Sequence, residues 1–113
     1  MGKATDFVQG TLDLLILKTV SLEPRHGWAI AKRIQQISGD ILQVQQGSLY
    51  PALYRLESAK EVEAVWEEEP HGRRGARRRI YRLTAKGKRS LSQGRTQWQQ
   101  FVQVLNGILG APA

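Results

Sequence analysis

Gln46-Gly47-Ser48-Leu49-Tyr50-Pro51-Ala52-Leu53-Tyr54-Arg55-Leu56-Glu57 is the stretch on which the fold turns. Leu49, Leu53 and Leu56 recur at i, i+4 and i+7 with Ala52 beside them, which predicts one apolar side of an α-helix. The other side carries Pro51, Tyr54, Arg55 and Ser58, flanked by Ser48 and Tyr50. Hydroxyls, a fork-shaped cation and rings with polar tips are groups that bond phosphate oxygens and base edges. Gly47-Ser48 suits an entry turn with Ser48 as N-cap, and Pro51 is tolerable in the first turn, where its missing N–H costs little. The bland alternative is an amphipathic helix whose polar side is merely wet.

Downstream, Val62 to Glu67 alternates apolar and polar residues, and Arg79-Ile80-Tyr81-Arg82-Leu83 is rich in strand formers. Pro70, Gly72 and Gly75 between them predict a hairpin loop. Arg73, Arg74, Arg77, Arg78 and Arg79 crowd this loop and its exit, where like charges repel unless an anion neutralises them. Such a tip suits phosphates or a minor groove; the alternative is a solvated charge run. Glu67, Glu68 and Glu69 stand just before it and compete for the same arginines.

Thr11 to Leu22 reads as a first helix with Leu12, Leu15, Ile16 and Val20 in one stripe, while Leu14 and Leu17 fall off it and point to a neighbour beyond the domain's own core. Trp28 to Ile37 reads as a second helix, with Ile30, Ala31, Ile34 and Ile37 inward and Trp28 in the core. Ser38-Gly39-Asp40 ends it, and Ile41, Leu42 and Val44 are expected to form a short strand. The helix of the opening stretch runs from Ser48 to Ala59, and a last helix from about Thr84 to Leu109. The fold class that follows is mainly α with a small β-hairpin, a winged helix-turn-helix with a long C-terminal helix. Residues 1–83 would form the DNA-binding domain and 84–113 a dimerisation helix.

In the last helix Leu91, Gly94, Trp98, Phe101, Leu105 and Ile108 alternate by three and four, the seam of a coiled coil with Gly94 as a gap. Val102 and Leu109 widen it, and glutamines supply most of the polar flank. A second copy related by two-fold symmetry would cover this seam; the alternative is a helix folded back on its own domain. Trp98 is an ordinary seam residue or a stacking surface for an aromatic effector.

Composition narrows the function. The 113-residue chain carries 17 Lys+Arg against 10 Asp+Glu, a formal charge of +7. That excess favours a polyanion, nucleic acid before a membrane surface. With no cysteine there is no disulfide framework or thiolate chemistry, compatible with a cytoplasmic location. The longest apolar-rich run, Leu12 to Leu22, is short and broken by Asp13 and Lys18, so no membrane span is expected. Residues 1–10 contain Asp6 and lack a secretory core, and residues 110–113 are expected to fray. His26 and His71 are far apart, which argues against a metal site, and no nucleophile–base pairing points to an enzyme. No cofactor is expected.

Four stretches resemble the PadR family of bacterial transcriptional regulators. They are residues 9–17, His26-Gly27-Trp28-Ala29-Ile30-Ala31, residues 46–57, and Tyr81-Arg82-Leu83-Thr84-Ala85-Lys86-Gly87, of which the third is the most specific. With one short C-terminal helix the chain looks like the shorter subgroup. The resemblance implies a homodimeric winged-helix repressor whose helix with Ser48, Tyr50, Pro51, Tyr54 and Arg55 faces double-stranded operator DNA, Ser48 and Tyr50 serving the backbone. It implies that the terminal helix crosses to the partner near its first helix, which would explain Leu14 and Leu17, and that a flat aromatic effector near that interface releases DNA. Lys60 stands where the family usually has glycine, Trp28 where it has tyrosine, and the wing is richer in arginine. The expectation is a sequence-specific repressor of an inverted-repeat operator, with Tyr54 and Arg55 at base edges and Ser48, Tyr50, Arg73, Arg74, Arg77 and Arg78 on phosphates. A protein-interaction module and an RNA binder are the rivals.

Overall fold

A computed structural model of the chain describes residues 4–67 and 78–112, with side chains of the first helix described from residue 10. Its elements run α1 (Ala4–Leu22), β1 (Arg25–His26), α2 (Gly27–Ile37), α3 (Gln46–Ser58), β2 (Val62–Trp66), β3 (Arg79–Leu83) and α4 (Ala85–Leu109). The sheet is antiparallel in the order β1-β3-β2. Val62 faces Leu83, Ala64 faces Tyr81 and Trp66 faces Arg79 across the hairpin, while Arg25 and His26 pair with Tyr81 and Ile80 on the other edge of β3. This is a winged helix: three helices over a small sheet, with a long helix leaving it.

The core lies where α1, α2, α3 and the sheet meet. It contains Ile16, Leu17 and Val20 of α1, Ile30 and Ile34 of α2, Leu49, Ala52, Leu53 and Leu56 of α3, and Val62 and Tyr81 of the sheet. The 3.6-residue period of α3 thus delivers all four of its predicted apolar residues to one side. Pro51 sits near the start of α3, where it does not break the helix.

Several expectations are corrected. The first helix begins at Ala4 rather than Thr11. Residues 41–44 form a loop, not a strand. Gly39 and Asp40 are both left-handed, with φ of 61° and 67°, and the Leu42 N–H is taken by the Ser38 hydroxyl at 2.9 Å. The backbone there is no part of the sheet, whose third place is filled by Arg25–His26. Trp28 is 57% exposed rather than core: it stacks on His26, with ring centroids 6.5 Å apart, and the Lys32 ammonium lies 4.8 Å from its ring centroid. Ile37 is also exposed, because it lies in the last turn of α2, beyond the buried Ile34.

The α3–β2 junction is tightly built. Lys60 takes φ 62°, and Lys60 and Glu61 donate their N–H groups to the Glu57 and Leu56 carbonyls at 3.0 and 2.9 Å. This is the left-handed helix stop that glycine usually makes. The start of α4 fastens onto it. Thr84 caps α4, accepting from Gly87 N–H at 3.0 Å while its hydroxyl reaches the Lys60 carbonyl at 2.7 Å. Lys86 Nζ donates to the Ala59 carbonyl at 2.6 Å, and Ser90 Oγ bonds the Glu61 carboxylate. Gly87 is buried so close to the Glu61 carbonyl oxygen that a side chain at this position would overlap it.

The first half of α4 returns along α1. A Cβ at Gly94 would stand 2.7 Å from Leu14 Cδ1, so the gap in the seam receives Leu14 of the same chain. Leu17 is 4% exposed, inside the subunit's own core. Within the chain, therefore, Leu17 is covered by the core and Leu14 packs on α4 while staying half-buried. Beyond the body, α4 carries Trp98, Phe101, Val104, Leu105, Ile108 and Leu109 as exposed apolar residues, while Leu91 packs against the core.

Candidate nucleic-acid interface

The outward side of α3 follows from its inward one. With Leu49, Ala52, Leu53 and Leu56 buried, the 100° step per residue leaves Ser48, Tyr50, Pro51, Tyr54 and Ser58 exposed. Tyr54 is the barest at 73%. Ser48 does not cap the helix: α3 begins at Gln46 after Gln45, and Ser48 lies in the first turn, donating its own N–H to the Gln45 carbonyl at 3.0 Å. Its hydroxyl side remains exposed at the front of the helix.

Arg55 stands at the margin of that surface. Its Nη2 donates to Asp13 Oδ1 of α1 at 2.9 Å, so its charge is engaged inside the subunit. Sequence spacing could not reveal this pair, which joins residues 42 positions apart.

The root of the wing is a ladder of ion pairs. Arg78 grips Glu67 with two nitrogens at 3.0 and 3.5 Å, Arg79 pairs with Glu57 of α3 at 2.6 Å, and Arg82 pairs with Glu63 at 2.5 Å. The competition between Glu67 and the arginines is thus present for Arg78. Arg79 also lies 5.8 Å from the ring centroids of both Trp66 and Tyr81. Arg73, Arg74 and Arg77, with Glu68, Glu69 and His71, lie outside the described residues.

His26, the last residue of β1, faces the wing root. Its Nε2 is 3.3 Å from Arg78 Nη1. Burial, then the Arg78 charge, hold the imidazole below its ordinary pKa, against an opposing pull from Glu67. Gly27 beside it makes room for Tyr50: a Cβ there would stand 3.0 Å from the Tyr50 ring and 3.2 Å from its hydroxyl.

A hollow lies between α1 and α4. Gly10, Thr11, Leu14, Gly94, Gln97, Trp98 and Phe101 enclose about 270 Å³, with the Trp98 and Phe101 rings tilted at 5.9 Å. Among the described residues, no group of His, Cys, Asp or Glu side chains could hold a metal ion, and no helix is long and apolar enough to cross a membrane.

Comparison with known proteins bears on these surfaces. Residues 16–93 match the model of the transcriptional regulator PadR-like family. A transcriptional regulator from Clostridium thermocellum superposes with a TM-score of 0.80 at 27% identity, over 89% of this chain and 95% of that one. A PadR family transcription regulator from Clostridium difficile R20291 gives 0.73 at 30% identity, over 88% and 98%. A PadR family regulator from Eggerthella lenta gives 0.80 at 26% identity, over 96% and 89%.

Proposed function

This chain belongs to the PadR-like family of transcriptional regulators, DNA-binding proteins and not enzymes, and from that premise we propose that it is a dimeric repressor of an inverted-repeat operator. In this reading residues 1–83 are the DNA-binding domain and residues 84–113 the dimerisation helix. The protein works in the cytoplasm, where bacterial DNA is reached.

The observation that carries the proposal is the outward side of α3, on which Ser48, Pro51, Tyr54 and Ser58 are exposed while the opposite side is locked in the core. A helix so held presents its polar groups rigidly to a major groove. Tyr54, with Arg55 once it exchanges Asp13 for a base, contacts base edges. Ser48, Tyr50 and the wing arginines Arg73, Arg74, Arg77 and Arg78 contact phosphates. Dimerisation is supported by the exposed apolar run of α4 that includes Leu105 and Ile108. Two such subunits would read two half-sites about one helical turn apart. The hollow beside Trp98 suits a flat aromatic effector whose entry would loosen the operator-bound arrangement.

Selection of bound duplexes from a random pool at moderate salt tests the proposal. An inverted-repeat motif is the expected result. A folded protein that recovers no motif, or that prefers single-stranded RNA, overturns it.

A further inference from the structure

His26, Gly27, Trp28, Tyr50, Trp66, Arg78, Arg79 and Tyr81 surround a cleft of about 410 Å³ at the junction of β1, α2, α3 and the wing root. The cleft is absorbed neither by the α3 surface nor by the hollow near Trp98. Its side chains include groups that bind a phosphodiester, among them the Tyr50 hydroxyl, the His26 imidazole and the Arg78 guanidinium. We propose that this cleft seats one backbone phosphate of the bound duplex, and that His26 takes up a proton as the phosphate enters. The proposal rests on the DNA-binding reading of the same face.

Charge bookkeeping inside the cleft leads to this conclusion. Arg78 is matched by Glu67 and Arg79 by Glu57, so the two pairs at the wing root cancel. Tyr81 is a neutral phenol near pH 7, since burial raises its pKa. Lys32 of α2 lines the neighbouring hollow with Trp28 and Tyr50, and Arg25 of β1 is matched by Glu23. With His26 neutral, the described residues lining the cleft therefore carry no net positive charge; protonated His26 supplies one. The neutral ring is stabilised in the free protein, where it lies 3.3 Å from an arginine nitrogen and is partly buried. A phosphate between His26 and Arg78 reverses this balance, because an anion within a few ångströms favours the imidazolium. It also separates two cations that would otherwise repel. Both effects have the same sign: affinity rises as pH falls.

His26 and His71 are the only histidines, so few groups titrate near neutrality and the test is sharp. Affinity of the full chain for a short mixed-sequence duplex is measured at constant ionic strength between about pH 8 and about pH 6. The wild-type chain, His26→Gln and His71→Gln are compared, and the His26 ring is titrated by NMR with and without duplex. Glutamine keeps a polar group beside Arg78 but cannot charge. The wild-type chain should tighten by up to about tenfold per pH unit for each proton taken up. His26→Gln should lose most of that slope, His71→Gln should keep it, and the His26 pKa should rise on adding duplex. A wild-type slope in His26→Gln, loss of the slope in His71→Gln instead, or an unchanged His26 pKa overturns the phosphate seat while duplex binding stands. A wild-type chain that binds no duplex at any of these pH values overturns the DNA reading itself, and this proposal with it.

Discussion

Arg55 of α3 donates to Asp13 of α1 across 2.9 Å, tying the helix that faces outward to the helix behind it. Both side chains are a quarter to a third exposed, so solvent screens the pair. A stability cycle over Asp13→Ala, Arg55→Ala and the double variant should give a coupling of about 0.5–1 kcal/mol. On DNA, Asp13→Asn should raise affinity for the selected motif, since it leaves the guanidinium without its partner carboxylate. Arg55→Ala should cost about 1–3 kcal/mol of preference for the selected motif. An unchanged preference would make Arg55 a strut between helices and nothing more.

Lys60 bears a side chain at φ 62°, a conformation that costs a non-glycine residue about 1–2 kcal/mol. Lys60→Gly removes that strain and returns part of it as unfolded-state entropy. The expected result is a gain of about 0.5–1 kcal/mol, seen as a higher melting temperature. Its carbonyl bond from Thr84 is made by the backbone and survives the change.

Gly87 is the reverse case. Alanine would favour the α4 helix by about 1 kcal/mol on propensity alone. Here the obstacle is the Glu61 backbone carbonyl, which no rotamer change can move. Gly87→Ala should therefore destabilise by about 3 kcal/mol in chemical denaturation. A neutral result would mean that the α3–β2 junction yields easily.

Stability should fall at both ends of the pH range, with opposite signs from two residues. The folded state lowers the pKa of His26, mainly by burial. The neutral ring is preferred, so this contribution is complete above the unfolded value of about 6.5 and is lost as pH drops below it. Burial raises the pKa of Tyr81, with Arg79 opposing. Its contribution is complete below about 10 and is lost as pH climbs above that value. His26→Gln should flatten the acid limb of a melting-temperature profile, and Tyr81→Phe the alkaline limb.

Leu105 and Ile108 lie on the exposed part of α4. Leu105→Asp with Ile108→Asp would bury two unpaired carboxylates in any seam between copies. Sedimentation should show a dimer for the wild-type chain and a dissociation constant raised at least about a hundredfold for the variant. A monomeric wild-type chain would remove the dimer from the proposal.

The residues of α3 made themselves legible because burial on one side of a helix imposes a period, and the observed core contains each apolar residue that the period selected. Of the two hairpin strands, the first was readable by its alternation and the second by its strand-forming residues. What escaped was long-range or brief. A two-residue strand at Arg25–His26 has no period to detect, and the apolar Ile41, Leu42 and Val44 looked like a better candidate. Trp28, expected in the core, is exposed beside a cation and a stacked imidazole. The Asp13–Arg55 and Arg78–Glu67 pairs depend on which elements meet, and a one-dimensional pattern does not carry that. Gly94 read correctly as a gap, but its filler came from the same chain.

The rivets at the start of α4 have a mechanical consequence. Thr84, Lys86, Gly87 and Ser90 all engage residues 59–61, directly behind the C-terminus of α3. The helix cannot slide lengthwise past that joint without colliding with the Glu61 carbonyl, and seven residues further on Leu14 of α1 fills the space over Gly94, a second point of contact that fixes its direction. A helix of 25 residues is a rod of about 37 Å, so its exposed tip is carried well away from the body, on a bearing set by the same joint that ends α3.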